Sequence, residues 1–232
     1  MNEDIYNEQL STFISKSLTE RPEFLNYYKW PILHEDSLNH AFDEHYIYHI
    51  HWALKKLAIA NPTSHFDISS SLHFAVNSAI YRPTTYVDIR VPRINIDGLV
   101  CIPGDITRGI EKIGQLESVS CMHVVEHLGL GRYGDDLSVN ADVKAMSNLS
   151  DIVKPGGRLL FVVPIGSPAV FFNAHRVYSA ERINKIFSQQ FYLKEFLFIP
   201  GNLKEFPRYG EDFASTLRYS YGCGCFEYIK HL

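Results

Sequence analysis

The chain has no basic cluster. Its 22 Lys and Arg are outnumbered by 26 Asp and Glu, for a formal net charge of −4. Sequence-independent binding to nucleic acid needs grouped cations, so no duplex DNA or RNA partner is expected. Its longest apolar stretches are only strand-length, and no membrane span is expected. Met1-Asn2-Glu3-Asp4 lacks the basic-then-apolar form of a signal peptide, which points to the cytoplasm. Cysteine is scarce. Cys101, Cys121, Cys223 and Cys225 match no zinc-module spacing, and a reducing compartment argues against disulfides. Cys223-Gly224-Cys225 reads as a strand with both thiols on one face, and buried thiols are expected there. Repeats, low-complexity tracts and interdomain linkers are missing too. What remains is an ordinary globular composition, 46% hydrophobic, at a length suited to one α/β domain with a short helical extension.

What is present is a ladder of acidic residues, each closing a short hydrophobic run. Asp67 follows His65-Phe66, Asp88 follows Tyr86-Val87, and Asp105 follows the apolar stretch 99–102. Glu126-His127 follows the run 118–125, and Lys154-Pro155-Gly156-Gly157 opens a further strand at Arg158. Carboxylate-ended strands alternating with helices describe an open parallel sheet whose ligand lies along its carboxyl edge. An acidic residue about 20 positions after the first strand commonly holds ribose hydroxyls, and Asp67 to Asp88 fits that interval. A nucleoside-containing cofactor is the expectation.

Periodicity supplies the other elements. Phe42, Tyr46, Ile47, Ile50, Ala53, Leu54, Leu57 and Ala58 mark an amphipathic helix stopped at Asn61-Pro62. Further helices are predicted over 72–79, 139–153 and from about 180, with Ser179 as N-cap. Strands are predicted over 84–89, near Val100, and over 118–124, 158–164, 191–199 and 222–230. The boundaries are 1–63 for a helical extension or lid and 64–232 for the α/β domain. His45 and His49 lie one helical turn apart, a spacing that can chelate metal. No sequence-adjacent third ligand accompanies them among 11 histidines, so no metal is expected.

His65-Phe66-Asp67-Ile68-Ser69-Ser70, Val87-Asp88-Ile89-Arg90, Ser120-Cys121-Met122-His123-Val124-Val125-Glu126-His127, Gly129-Leu130-Gly131-Arg132-Tyr133-Gly134-Asp135 and Phe172-Asn173-Ala174-His175-Arg176-Val177-Tyr178 together carry a resemblance. Over residues 64–230 the chain resembles class I S-adenosylmethionine-dependent methyltransferases. More narrowly it is similar to an uncharacterised bacterial methyltransferase-like family. The resemblance implies a three-layer, doubly wound, Rossmann-like α/β fold with a mainly parallel seven-stranded sheet, and S-adenosyl-L-methionine as cofactor. It places Asp67 near the methionine part, Asp88 at the ribose hydroxyls and Asp105 at the adenine amine, with Ser69 and Met122 beside them. Where the family pattern has Gly-x-Gly, this chain has Ser69 and Ser71, which puts cofactor affinity in question. A small acceptor is implied, a sugar or nucleotide-sugar hydroxyl of surface-polysaccharide biosynthesis.

O-methylation requires a hydroxyl to lose its proton, and histidine suits that near neutral pH. His127 is the favoured base, with His175 second. Arg132, Tyr133 and Asp135, on a glycine-punctuated loop, offer a cation, a stacking face and an acceptor to the substrate. Asn173 and Arg176 are assigned to it as well, Arg176 having the alternative of pinning two loops through a carboxylate. The rival readings are a non-catalytic binding or scaffold protein of the same fold, or a nucleotide-sugar enzyme without methyl transfer.

Overall fold

The computed structural model describes residues 2–23, 26–33, 42–110, 114–202 and 204–232. The chain forms two compact units, Met1–Phe42 and Asp43–Leu232. In the first, helix α1 (Glu3–Glu20) is N-capped by Asn2, whose side chain accepts from Ile5 N. The segment 26–33 returns along it, with Tyr27 donating to Ser17 Oγ at 2.8 Å and Trp30 N to Tyr6 Oη at 3.0 Å. The helical reading of residues 34–41 lies outside the described residues.

The second unit runs α2 (Glu44–Ala60), β1 (His65–Ile68), α3 (Leu72–Tyr81), β2 (Thr84–Asp88), β3 (Leu99–Pro103), β4 (Leu116–Met122), a 3-10 turn (Val125–His127), α4 (Ala141–Ile152) and β5 (Val153–Ile165). It continues with β6 (Ala169–Phe171), β7 (His175–Val177), α5 (Ala180–Phe187), β8 (Phe191–Pro200), β9 (Arg208–Tyr209), α6 (Phe213–Thr216) and β10 (Gly222–Lys230). Strand order is β3-β2-β1-β4-β5-β10-β8-β9. The first five are parallel, β10 is antiparallel to both neighbours, and β9 is a two-residue addition at the edge of the expected seven. Asn61 ends α2 in the left-handed region, and Ser179 caps α5 as expected.

Alternation along β5 builds the two cores. Leu159, Phe161 and Val163 pack with Ala145, Met146 and Ile183 of α4 and α5. Leu160 and Val162 face the opposite way, onto Trp52 of α2 and Phe74 of α3. A strand buried on both faces belongs at the centre of a three-layer sandwich. α2 therefore packs on the sheet in the second unit, held by ion pairs from Lys56 to Glu195 at 2.7 Å and to buried Glu227 at 3.2 Å.

Two local readings differ from expectation. Pro155-Gly156-Gly157 lies inside β5, where Val153 pairs with Leu116 and Arg158 with Ser118, so the motif is a register shift and not a turn ahead of the strand. A Cβ at Gly157 would stand 2.9 Å from Leu116 O, which explains the second glycine. The antiparallel hairpin β6–β7 went unread because its strands have only three residues each.

Candidate active-site cleft

Between β1 and β4 the strand order reverses, and a cleft of about 500 Å³ opens at the carboxyl edge there. Such a switch point is where open α/β sheets bind ligands. Ser69, Asp105 and His123, from the loops after β1, β3 and β4, and Asp88, the last residue of β2, all line it.

Ser69 has φ +53, the left-handed conformation for which the family pattern uses glycine. Its N–H and Oγ both donate to Val87 O, at 2.9 Å each, which offsets the strain of a Cβ in that region. Ser71 caps α3 by accepting from Phe74 N at 3.3 Å. Ser69 thus holds the positive-φ conformation that suits glycine, while Ser71 is in ordinary extended backbone. Asp88 accepts from Arg90 N at 2.7 Å and from Tyr86 Oη at 3.1 Å. A carboxylate has about four lone-pair positions, so two remain for hydroxyls. Asp105 accepts from Thr107 N at 2.9 Å and pairs with Arg108 at 3.3 Å.

Asp67 and Met122 do not line the cleft. Met122 is buried in the core with Trp52 and Phe74, because β4 alternation turns it there, and only its N–H touches the loop, donating to Ser70 Oγ at 3.1 Å. Asp67 is fully enclosed and accepts from Ser120 Oγ; it supports the cleft from beneath the chain. Burial raises its pKa to about 7, against hydrogen bonds from Ser120 and Ser70 that lower it. The folded state keeps a proton that the unfolded chain releases near pH 4, so stability falls as pH rises from about 4 to 7. Asp67→Asn is expected to melt about 2–8 °C above wild type at about pH 8, with the difference vanishing near pH 4. A difference independent of pH in thermal melts would contradict this reading.

The 3-10 turn after β4 buries Glu126 and sends His127 to the cleft wall. His127 Nδ1 lies 2.6 Å from Ala174 O, at the β6–β7 turn. A carbonyl only accepts, so Nδ1 carries the proton and Nε2 keeps its lone pair. The β4 and β5 connections therefore meet as expected, but through the backbone of Ala174. His175 itself is off the cleft wall, beside Phe171 and Tyr221. Burial lowers its pKa, helped by the neighbouring His127.

Tyr133 and Asp135 line the cleft, and the Arg90 guanidinium lies 4.5 Å from the Tyr133 ring centroid. Burial works against the Asp135 charge, yet N–H donors including those of Tyr133 and Gly129 lower its pKa. Gly129, Gly131 and Gly134 all have positive φ; a Cβ at Gly129 would collide with Ser138 O. Arg132 is exposed and donates to Ala174 O at 3.1 Å, outside the cleft wall. Asn173 is likewise exposed at the hairpin turn. Arg176 does not line the cleft, against its assignment to the acceptor. It is buried, donates to Leu128 O at 2.6 Å and pairs with Asp142 at 3.8 Å, so its fork pins the loop after β4 to α4 and is closed to an acceptor.

One group escaped the sequence reading. His123 has φ +56 and its Nδ1 lies 2.9 Å from Glu126 Oε1, while Nε2 lies 3.5 Å from Cys223 Sγ. Tyr46 of α2 stacks on His123 with centroids 5.5 Å apart. Only the sheet order brings β10 and α2 to this loop, and no local spacing announces it.

Comparisons with known proteins bear out the fold. The model of a family described as Caenorhabditis protein of unknown function, DUF268, matches residues 103–198, from the end of β3 into β8. No curated protein is significantly similar in sequence. Among solved structures, the N-methyltransferase NodS from Bradyrhizobium japonicum WM9, in complex with S-adenosyl-L-homocysteine, superposes with a TM-score of 0.51 at 14% identity, covering 78% of this chain and 85% of that one. The 1,6-didemethyltoxoflavin-N1-methyltransferase from Burkholderia thailandensis, with 1,6-didemethyltoxoflavin and S-adenosylhomocysteine bound, gives 0.57 at 10% identity, covering 100% and 92%. The chain has the class I methyltransferase fold. That fold alone does not fix a reaction: the (4+2) cyclase SpnF shares it, with a TM-score of 0.53 at 10% identity over 78% and 79%.

Proposed function

We propose that this cleft binds S-adenosyl-L-methionine and that the protein methylates a hydroxyl of a small, sugar-like acceptor. The observation that carries the reading is the pairing of Asp88, with lone pairs free at the cleft, and His127, whose Nε2 is left bare by the Ala174 contact. Asp88 would hold the ribose hydroxyls, Asp105 the adenine amine, and Ile89 and Ile106 the apolar faces of the base. When bound, the cofactor supplies an electrophilic methyl on a sulfonium. His127 Nε2 would take the proton that the acceptor hydroxyl loses on transfer. The wall of Tyr133, Asp135, Asp136 and Ser138 suits a polyhydroxylated acceptor, stacking on one side and accepting on the other. A sugar or nucleotide-sugar of surface-polysaccharide assembly in the cytoplasm has that chemistry.

Asp88→Ala is expected to weaken S-adenosylhomocysteine by about 1.5–3 kcal/mol, roughly 10- to 150-fold in Kd, through loss of a charge-assisted hydrogen bond. Calorimetry on folded protein checks it, and equal affinity in the two proteins would remove Asp88 from the site. Transfer of labelled methyl across a panel of nucleotide-sugars tests the acceptor class.

A further inference from the structure

We propose that His45, His123 and Cys223 bind a borderline-soft divalent metal ion of the zinc class at the carboxyl edge of the sheet. Each offers one ligand atom, and these atoms all lie within 4.8 Å of one another. A tetrahedral zinc ion with ligands at about 2.0–2.3 Å holds them about 3.3–3.8 Å apart, so a small contraction of side chains closes the site. His123 Nε2 and Cys223 Sγ already lie 3.5 Å apart.

The hydrogen bonding prepares these atoms as ligands. Glu126 can only accept, so His123 carries a proton on Nδ1 at 2.9 Å from the carboxylate, and Nε2, which faces Cys223 Sγ, is the atom it offers to a metal. A histidine whose far nitrogen is fixed by a buried carboxylate is the usual support of a metal-bound imidazole. His49 Nδ1 lies 2.5 Å from His45 O, which leaves its Nε2 bare, and its ring meets His123 edge-on at 5.0 Å. Both His45 Nε2 and His49 Nε2 are buried with no hydrogen-bond partner. Leaving a buried nitrogen such as His45 Nε2 unsatisfied is costly, and a cation would satisfy it.

On binding, the Cys223 S–H bond gives way to a sulfur–metal bond and the proton passes to solvent. The ion joins α2, the loop after β4, and β10 beside the cleft that His123 also lines.

Cobalt(II) added to the chelator-treated full chain provides the test. About one equivalent is expected to bind, with the visible bands of a tetrahedral ion and a near-ultraviolet thiolate-to-cobalt band, and zinc is expected to displace it. Cys223→Ser should abolish the thiolate band while Cys225→Ser keeps it, and His45→Ala should weaken affinity at least about 10-fold. Zinc should also raise the wild-type melting temperature, a readout that needs no variant to fold. No stoichiometric cobalt binding by the wild type, no zinc-induced rise, or a thiolate band unchanged in Cys223→Ser would overturn the proposal. None of these readouts involves an S-adenosyl ligand, so they fail or succeed independently of the methyl-transfer reading.

Discussion

His127→Gln is expected to lower turnover with a competent acceptor by about 10²–10⁴-fold while leaving S-adenosylhomocysteine affinity nearly unchanged. Glutamine is close in size and its amide can still face Ala174 O, so the β4 loop and the β6–β7 turn stay joined. What it lacks is a nitrogen that accepts a proton near neutral pH. A base acts only as the hydroxyl reacts, so the loss falls on kcat and not on cofactor binding. Steady-state kinetics together with calorimetry separate the two. Full turnover in the variant would move proton removal to another group or to water, and His175, off the cleft wall, is a poor replacement.

Glu227→Ala is expected to destabilise the fold by about 3–5 kcal/mol, a fall of roughly 6–20 °C in Tm. Glu227 is buried on β10 and faces Arg158 of β5, Lys56 of α2 at 3.2 Å and Lys194 of β8 at 3.5 Å. Removing it takes the buried anion away from Arg158, Lys56 and the half-exposed Lys194, while Lys56 keeps Glu195 at 2.7 Å. Glu227→Met, which fills the volume without the charge, should lose less than Glu227→Ala. If denaturant melts show less than about 1 kcal/mol for the alanine variant, the network does not anchor α2.

Much of the fold could be read from the sequence because an acidic residue stands at or near the end of each of the first three strands. Asp67 lies near the end of β1, Asp88 ends β2 and Asp105 follows β3, and a doubly wound sheet brings those ends to one edge. The roles of individual side chains were harder to read, because they depend on which way a residue turns. Met122 and His123 are adjacent, yet strand alternation sends one to the core and the positive φ of the next sends the other to the cleft. Arg176 looked like an acceptor fork; its register opposite Val170 in the hairpin leaves it facing Asp142 and the carbonyl of Leu128. His45 and Cys223, far apart in sequence, meet only because β10 inserts between β5 and β8 while α2 covers that face. Nothing local encodes such a meeting.

The cleft reading stands or falls on where an S-adenosyl ligand sits. A crystal structure of the full chain grown with saturating S-adenosylhomocysteine is expected to show the ligand along the carboxyl edge, its ribose hydroxyls on Asp88 and its adenine beside Asp105. A cleft holding only water under those conditions, or the ligand bound away from Asp88, would contradict it.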